Sequence, residues 1–287
     1  MSSKSKNINQ YYINKLISSD EESVYGRIYK FWWSHFLTSI KQNGIDKTLN
    51  TLDKCMTLGN VDFLASATKY ASAQGFENNS GKYVQVYNQY VKSNTGKMFE
   101  RFVGLALAYS LQKSESDYCI LQFNAENIIH CHGLKMKEFE VKVVLGKKEL
   151  PTHIDADLIA FNPTNITSEI FLISVKSTLK DRFHNVPFWN LLRRAAVLSQ
   201  FKTVKATNTK LLEKVKYVAI CSDLAKEQPD FASQAGPRNM LCIDAALLDG
   251  AFVSASSAQG LGRDEGKIGH DRLSAFYPLS SFYRLLL

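Results

Sequence analysis

Asp155-Ala-Asp157-Leu-Ile-Ala-Phe161, Asn162-Pro163-Thr-Asn-Ile-Thr-Ser-Glu169 and Ile170-Phe-Leu-Ile-Ser174-Val175-Lys176-Ser-Thr-Leu-Lys180-Asp181-Arg182 follow one another without a gap. Two apolar runs flank a polar segment that holds Asn162-Pro163, the signature of a β-hairpin. Pairing Phe161 with Ile170 sets Asp157 opposite Ser174 and Asp155 opposite Lys176. Side chains of a strand alternate between its two faces. The four polar residues then share one face, while Leu158, Ala160, Ile173 and Val175 take the other.

A carboxylate beside a lysine at the end of an apolar hairpin is the kernel of a metal-dependent phosphodiesterase. The carboxylate holds a divalent cation, and the lysine positions or deprotonates the attacking water. An Asp and a Lys at this spacing also occur by chance in many α/β chains. Three features add weight here: the shared facing, a Glu flanked by apolar residues on the helix upstream, and the charged run directly after Lys176.

The stretch resembles the PD-(D/E)xK nuclease superfamily, whose motif is an aspartate on one strand and acid-x-lysine on the next. Ala156-Asp157 stands where the family has Pro-Asp, and Ser174-Val175-Lys176 where it has acid-x-Lys. Ser174 in place of the acid is a departure. Type II restriction endonucleases that cut CCGG or CCNGG sites show a similar one. That branch follows its lysine with an Arg-acid-Arg recognition run, which Lys180-Asp181-Arg182 resembles. It also places a replacement acid on the next helix, at positions that are Trp189 and Asn190 here. The resemblance spans about residues 95 to 200. It implies a mixed central β-sheet flanked by helices, Mg²⁺ as cofactor, double-stranded DNA as substrate and a prokaryotic, cytoplasmic enzyme.

Upstream, Thr95-Gly-Lys-Met-Phe99-Glu100-Arg-Phe102 opens a helix expected to run to about Gln112, with Thr95 as its N-cap. Phe99, Phe102, Val103, Ala106 and Leu107 form the buried stripe. Glu100 lies beside that stripe, with Val103, Gly104 and Leu107 as neighbours, and a carboxylate there is costly to bury unless something pairs it. The alternatives are a half-exposed Glu with its side chain swung out, or a metal-binding acid substituting for the one missing at Ser174. In the superfamily a glutamate from the helix before the sheet commonly approaches the site, and Gly-x-x-Phe-Glu resembles that helix.

The rest of the chain supplies the frame. Residues 1 to 94 read as a helical N-terminal region packed on a core formed by 95 to 287. Val24, Ile28, Phe31, Trp32 and Phe36 mark an amphipathic helix over about 21 to 42. Gly44 and Gly59 punctuate short helices after it, and Ser80-Gly81 opens another around Tyr83 to Tyr90. Strands are expected at Tyr118 to Phe123, Asn127 to Cys131, Phe139 to Leu145, Val215 to Cys221 and Met240 to Ile243. Helices are expected at Phe188 to Phe201, with Leu191, Leu192, Ala195, Leu198 and Phe201 inward and Arg193 and Arg194 outward, and at Leu279 to Leu287. Strands alternating with helices argue for the mixed sheet independently of the resemblance. His130-Cys131-His132 has no second ligand pair at zinc-site spacing. The Ser- and Gly-rich stretch from 254 to 270 lacks a P-loop's Lys-Ser/Thr ending and reads as a surface loop.

Composition sets the bounds. Thirty-five Lys and Arg exceed 27 Asp and Glu, for a formal charge of +8, which suits a polyanionic partner. Five scattered cysteines, Cys55, Cys119, Cys131, Cys221 and Cys242, form no disulfide framework and fit a reducing compartment. The polar Met-Ser-Ser-Lys start does not read as a signal peptide, and no run reaches bilayer-spanning length.

The mechanism these readings imply is hydrolysis of a DNA phosphodiester. Asp157 binds Mg²⁺ with Glu100 as second acid, Asp155 or Glu169 being the next candidates, and the Val175 carbonyl adds a ligand. Lys176 meets the scissile phosphate and the water, and Ser174 holds a water ligand. Lys180 and Arg182 can donate to guanine and Asp181 can accept from cytosine, which fits a short G/C-containing palindrome. Cutting both strands of a palindrome calls for a homodimer or a tetramer. The competing readings are a DNA-binding module without catalysis, a nuclease for branched repair or junction DNA, and a structural protein with an incidental basic surplus.

Overall fold

The hairpin forms in the expected register. In the computed structural model, β4 and β5 pair antiparallel with Leu158 opposite Ile173, Ile159 opposite Leu172 and Ala160 opposite Phe171. Residues 2–18, 24–56, 60–76, 80–177, 183, 185–198, 201–222, 239–256 and 276–287 are described. In chain order their elements are α1 (Ser3–Ile17), α2 (Val24–Leu49), α3 (Leu52–Met56), α4 (Asn60–Ala73), α5 (Gly81–Lys113), β1 (Cys119–Gln122), α6 (Ala125–Ile128), β2 (Glu140–Leu145), β3 (Lys148–His153), β4 (Leu158–Phe161), β5 (Ile170–Lys176), α7 (Asn185–Val197), β6 (Val204–Ala206), α8 (Thr209–Lys214), β7 (Val215–Cys221), α9 (Asn239–Ala246), β8 (Gly250–Val253), β9 (Tyr277–Pro278) and α10 (Leu279–Leu285).

The main sheet runs β1-β4-β5-β7-β8-β9, and a smaller one runs β3-β2-β6. β1, β4 and β5 are antiparallel neighbours, whereas β5, β7, β8 and β9 are parallel. Parallel neighbours need crossovers. α7 and α8 lie between β5 and β7 in the chain, and α9 lies between β7 and β8. The fold is therefore mixed α/β with a central sheet between helical layers, as the sequence implied.

β4 reads Leu-Ile-Ala-Phe and is buried at every position, the mark of a strand covered on both faces. Phe171 of β5 meets Phe282 of α10, their ring centroids 5.5 Å apart. The odd positions of β5 thus face the layer that contains α10. Leu158 packs on the same side, against α5 at Gly104. The even positions Leu172, Ser174 and Lys176 face away from that layer.

α5 differs from its expected form. One unbroken helix of 33 residues replaces two shorter ones, and Ser80 rather than Thr95 caps it, accepting from Tyr83 N–H at 3.2 Å. Nothing between Tyr83 and Lys113 forces a break, since Gly96 keeps helical geometry. The division at residue 94/95 falls inside this helix. α2 is bent at Gly44, whose φ of 78° lies outside helical space.

Three other segments also depart from expectation. Asn127 to Cys131 is helix and turn rather than strand, because the Asn124 side chain caps Asn127 N–H at 2.9 Å. Met240 to Ile243 lies in helix α9, with Met240 and Ile243 exposed, and the strand comes later at β8. Short apolar runs carry too little period to separate helix from strand. α7 is rotated from the expected stripe, so Leu191 and Leu198 are exposed while Asn190 and Arg193 are buried. Asp249 accounts for the rotation, as it accepts from Arg193 at 2.8 Å and from Arg194 at 2.7 Å. Arg193 donates further to Asn190 Oδ1 and to the Leu212 carbonyl. A buried cation whose donors are satisfied in this way can occupy a core position that an apolar residue would otherwise take.

Candidate active site

Asp157 sits where β4 begins and Lys176 where β5 ends, so both lie at one end of the central sheet. The regular ladder stops at Leu158 and Ile173. Beyond it Asp157 N–H donates to the Ile173 carbonyl at 2.9 Å, and Phe123 N–H donates to the Asp157 carbonyl at 3.0 Å. The aspartate is thus held by its backbone from both neighbouring strands, which leaves its side chain to meet β5.

Oδ2 of Asp157 collects three donors. Val175 N–H reaches it at 2.6 Å, Lys176 Nζ at 3.1 Å and Ser174 Oγ at 3.4 Å. Asp157 and Lys176 each keep 20% of their side-chain surface open to solvent, so the pair can be reached from outside. Ser174 is buried beside them. The hydrogen bonds this carboxylate receives from the described residues all go to Oδ2. In an extended strand the N–H and C=O of one residue leave along the same edge. The Val175 carbonyl therefore shares the edge of the N–H that meets Asp157.

Glu100 arrives from α5. The helix passes the end of β5, where Gly96 lies next to Ser177, and Glu100 follows one turn later, half-buried. Burial pushes its carboxyl up to about 7, and the nearby Asp157 carboxylate adds to the rise, while Arg101, Lys176 and Lys97 oppose it. Glu100 thus falls within electrostatic range of both Asp157 and Lys176. The Asp157 carboxylate, the Ser174 hydroxyl and the strand-edge carbonyl are all oxygen groups, with the Glu100 carboxylate in electrostatic range, and oxygen donors suit a hard divalent cation. Among the described residues no cluster of three or more His, Cys, Asp or Glu side chains forms.

The other residues singled out from sequence fall elsewhere. Asp155 has an exposed side chain at the site's margin. Glu169 pairs with Lys216 at 3.3 Å, at the opposite end of β5. Asn190 donates to the Leu247 carbonyl at 2.8 Å and accepts from Arg193, so this position on α7 is committed to α7 and the turn after α9 rather than to Asp157. Lys180, Asp181 and Arg182 lie outside the described residues, as does 257–270 of the Ser/Gly-rich stretch.

Nothing in the sequence marks Tyr217 as a site residue. It is fully buried on β7 beside Leu172, on the face that carries Ser174 and Lys176. Its hydroxyl donates to the Asp155 carbonyl and interacts with the Ser174 side chain. Burial, with the Asp155 and Asp157 charges, raises the phenol's pKa far above its ordinary value, so it remains a neutral donor. A tyrosine in an apolar strand reads as core packing; only the fold reveals what its hydroxyl reaches.

No protein-family model and no curated protein matches this sequence. Among solved structures, a complex of restriction endonuclease PspGI with substrate DNA aligns at TM-score 0.48 and 12% identity, over 99% of this chain and 94% of that one. A pre-specific complex of restriction endonuclease BsaWI with DNA aligns at TM-score 0.36 and 16% identity, over 99% and 91%. Among the described residues no helix is long and apolar enough to cross a membrane.

Proposed function

We propose that this protein is a Mg²⁺-dependent DNA endonuclease of the type II restriction class, which hydrolyses phosphodiester bonds at a short G/C-containing palindrome as a homodimer. The observation that carries this reading is the meeting of Asp157, Ser174 and Lys176 at an open sheet end, with Glu100 of α5 within electrostatic range of it.

Asp157 and Glu100 would hold the Mg²⁺, with the Val175 carbonyl as a further ligand and Ser174 steadying a ligand water. When bound, the ion supplies charge stabilisation at the phosphate and a more acidic water. Lys176 donates to the scissile phosphate and orients the attacking water. Its contact with Asp157 keeps the ammonium at the site before substrate arrives. Ser174 contributes a hydrogen bond but no charge, so Glu100 supplies the second negative charge. Lys180, Asp181 and Arg182 follow Lys176 closely in sequence and read neighbouring G·C pairs through donors and an acceptor. The surplus of basic residues favours a polyanion.

One observation favours a second reading. Ser174 stands where an acid would complete the motif, as it would in a DNA-binding module that never cuts. Digesting a plasmid of known sequence with Mg²⁺ and sequencing the ends separates the two. Discrete fragments with one terminal sequence support the restriction reading. DNA retention without cleavage supports the binding module. Cutting of branched DNA alone would replace both with a structure-selective nuclease.

A further inference from the structure

β7 is not adjacent to β4, since β5 runs between them. Strands lie about 4.8 Å apart, so a group on β7 must span about two such spacings to touch the β4 backbone. The Tyr217 side chain does this, crossing the face of β5 to put its hydroxyl on the Asp155 carbonyl.

We propose that Tyr217 is a positioning residue for the catalytic carboxylate, acting through the Asp155 carbonyl. This rests on the nuclease reading above. Asp155 has an exposed side chain and precedes the first rung of the β4–β5 ladder. The segment that delivers Asp157 is therefore held by few bonds: Asp157 N–H to Ile173, Phe123 N–H to the Asp157 carbonyl, and the phenol to Asp155. Ser174, which donates to Asp157 Oδ2, lies on the same face of the sheet as the phenol, so the tyrosine holds the carboxylate from its backbone side while Ser174 holds it from its side-chain side.

The anchor is itself fixed. Tyr217 N–H donates to Asp249 Oδ2 at 2.8 Å, and Asp249 N–H returns a bond to the Tyr217 carbonyl at 3.0 Å. The same carboxylate takes Arg193 and Arg194 of α7. Orientation of a metal-binding carboxylate by groups behind it commonly accounts for 10–100-fold in metal affinity or rate, on the order of what is expected here.

The test is Tyr217→Phe, which keeps the ring and deletes the hydroxyl. Three quantities are read: equilibrium Mn²⁺ affinity by calorimetry without DNA, single-turnover cleavage in Mg²⁺, and thermal stability together with DNA retention in Ca²⁺. The expected result is weaker Mn²⁺ binding and about 10–100-fold slower cleavage, with unfolding temperature and Ca²⁺-supported DNA binding close to wild type. Combining it with Ser174→Ala is expected to cost less than the product of the single losses, because both steady the same carboxylate. Wild-type Mn²⁺ affinity and cleavage in Tyr217→Phe would overturn the assignment, as would losses that track stability and DNA binding together. Should Tyr217→Phe not fold, 3-fluorotyrosine at 217 perturbs the hydrogen bond while retaining it. An altered cleavage rate then supports the proposal, and an unaltered one overturns it. If the wild-type protein itself does not cut, the nuclease reading falls, while the Mn²⁺ comparison still decides the role of Tyr217.

Discussion

Lys176 donates its ammonium to Oδ2 of Asp157 at 3.1 Å, from the end of β5 to the start of β4. The pair joins a cation to the carboxylate that would bind a metal, so on the proposed reading each residue has a separate task once DNA is present. Asp157→Asn keeps an oxygen acceptor for Val175 N–H and removes the charge. It is expected to lower Mg²⁺-dependent cleavage on the order of 10³-fold with little loss of thermal stability. Lys176→Met is expected to do the same. Single-turnover assays on plasmid DNA measure both, and near-normal cutting by either variant would remove it from the chemistry.

The raised pKa of Glu100 predicts a pH-dependent stability in the metal-free protein. The folded protein holds this proton up to about 7, against an ordinary 4.5. Stability from this group is therefore full below about 4.5 and is lost as pH rises through 7. Glu100→Gln removes that loss. Above pH 7 without divalent ions the variant is expected to be more stable than wild type by about 1–2 kcal/mol after discounting for partial exposure, with no advantage near pH 4.5. Urea titrations at both pH values test this, and equal differences at the two would assign the effect to packing. In Mg²⁺ the same variant is expected to cleave poorly.

Gly104 permits the contact between α5, α1 and β4. A Cβ there would come within 2.5 Å of the Tyr12 hydroxyl and 3.0 Å of Leu158 Cδ2. Tyr12 and Leu158 are both buried and cannot swing aside. Gly104→Ala is expected to destabilise the fold by about 1–3 kcal/mol, despite alanine's better helix propensity. A denaturation midpoint at or above that of wild type would show that α5 can shift without cost.

The charged run after Lys176 makes a separate prediction. On the proposed reading this run faces DNA, and an acid between two bases there is better explained as a base reader than as a phosphate contact. Arg182→Ala is expected to lose about 1–3 kcal/mol of discrimination at one G·C pair. Binding to a panel of single-base-pair variants at two salt concentrations checks this. A uniform loss with a flatter salt slope would make Arg182 a backbone contact.

The hairpin was legible because its faces alternate and its register follows from the turn. Asp157, Ser174 and Lys176 could thus be placed together from sequence alone. Glu100 was legible as an oddity, a carboxylate beside an apolar stripe, although the length of its helix was not. The facing of α7 was not legible, because the buried partner of Arg193 is Asp249, on a distant part of the chain. Period-based reading assigns arginine outward whenever that partner is out of sight. Tyr217 was hidden for a similar reason, since its hydroxyl acts two strands away from its own.

The unbroken run of α5 has a consequence for how this molecule can change length. Tyr70 of α4 rests on Tyr90 in the upstream half, with ring centroids 4.8 Å apart, while Glu100 and the contacts of Trp32 with Phe102 lie downstream. Both halves share one screw axis. Inserting a single residue between Tyr90 and Glu100 would turn everything upstream by about 100° and shift it by about 1.5 Å. α4 and the Asp157–Lys176 end of the sheet would then demand incompatible rotations. Insertions or deletions here are tolerable only in near-whole turns, with seven residues the smallest close fit at about 20° of mismatch. A chimera joined at this point inherits that phase requirement, and a cut here leaves two helix ends where the protein has none.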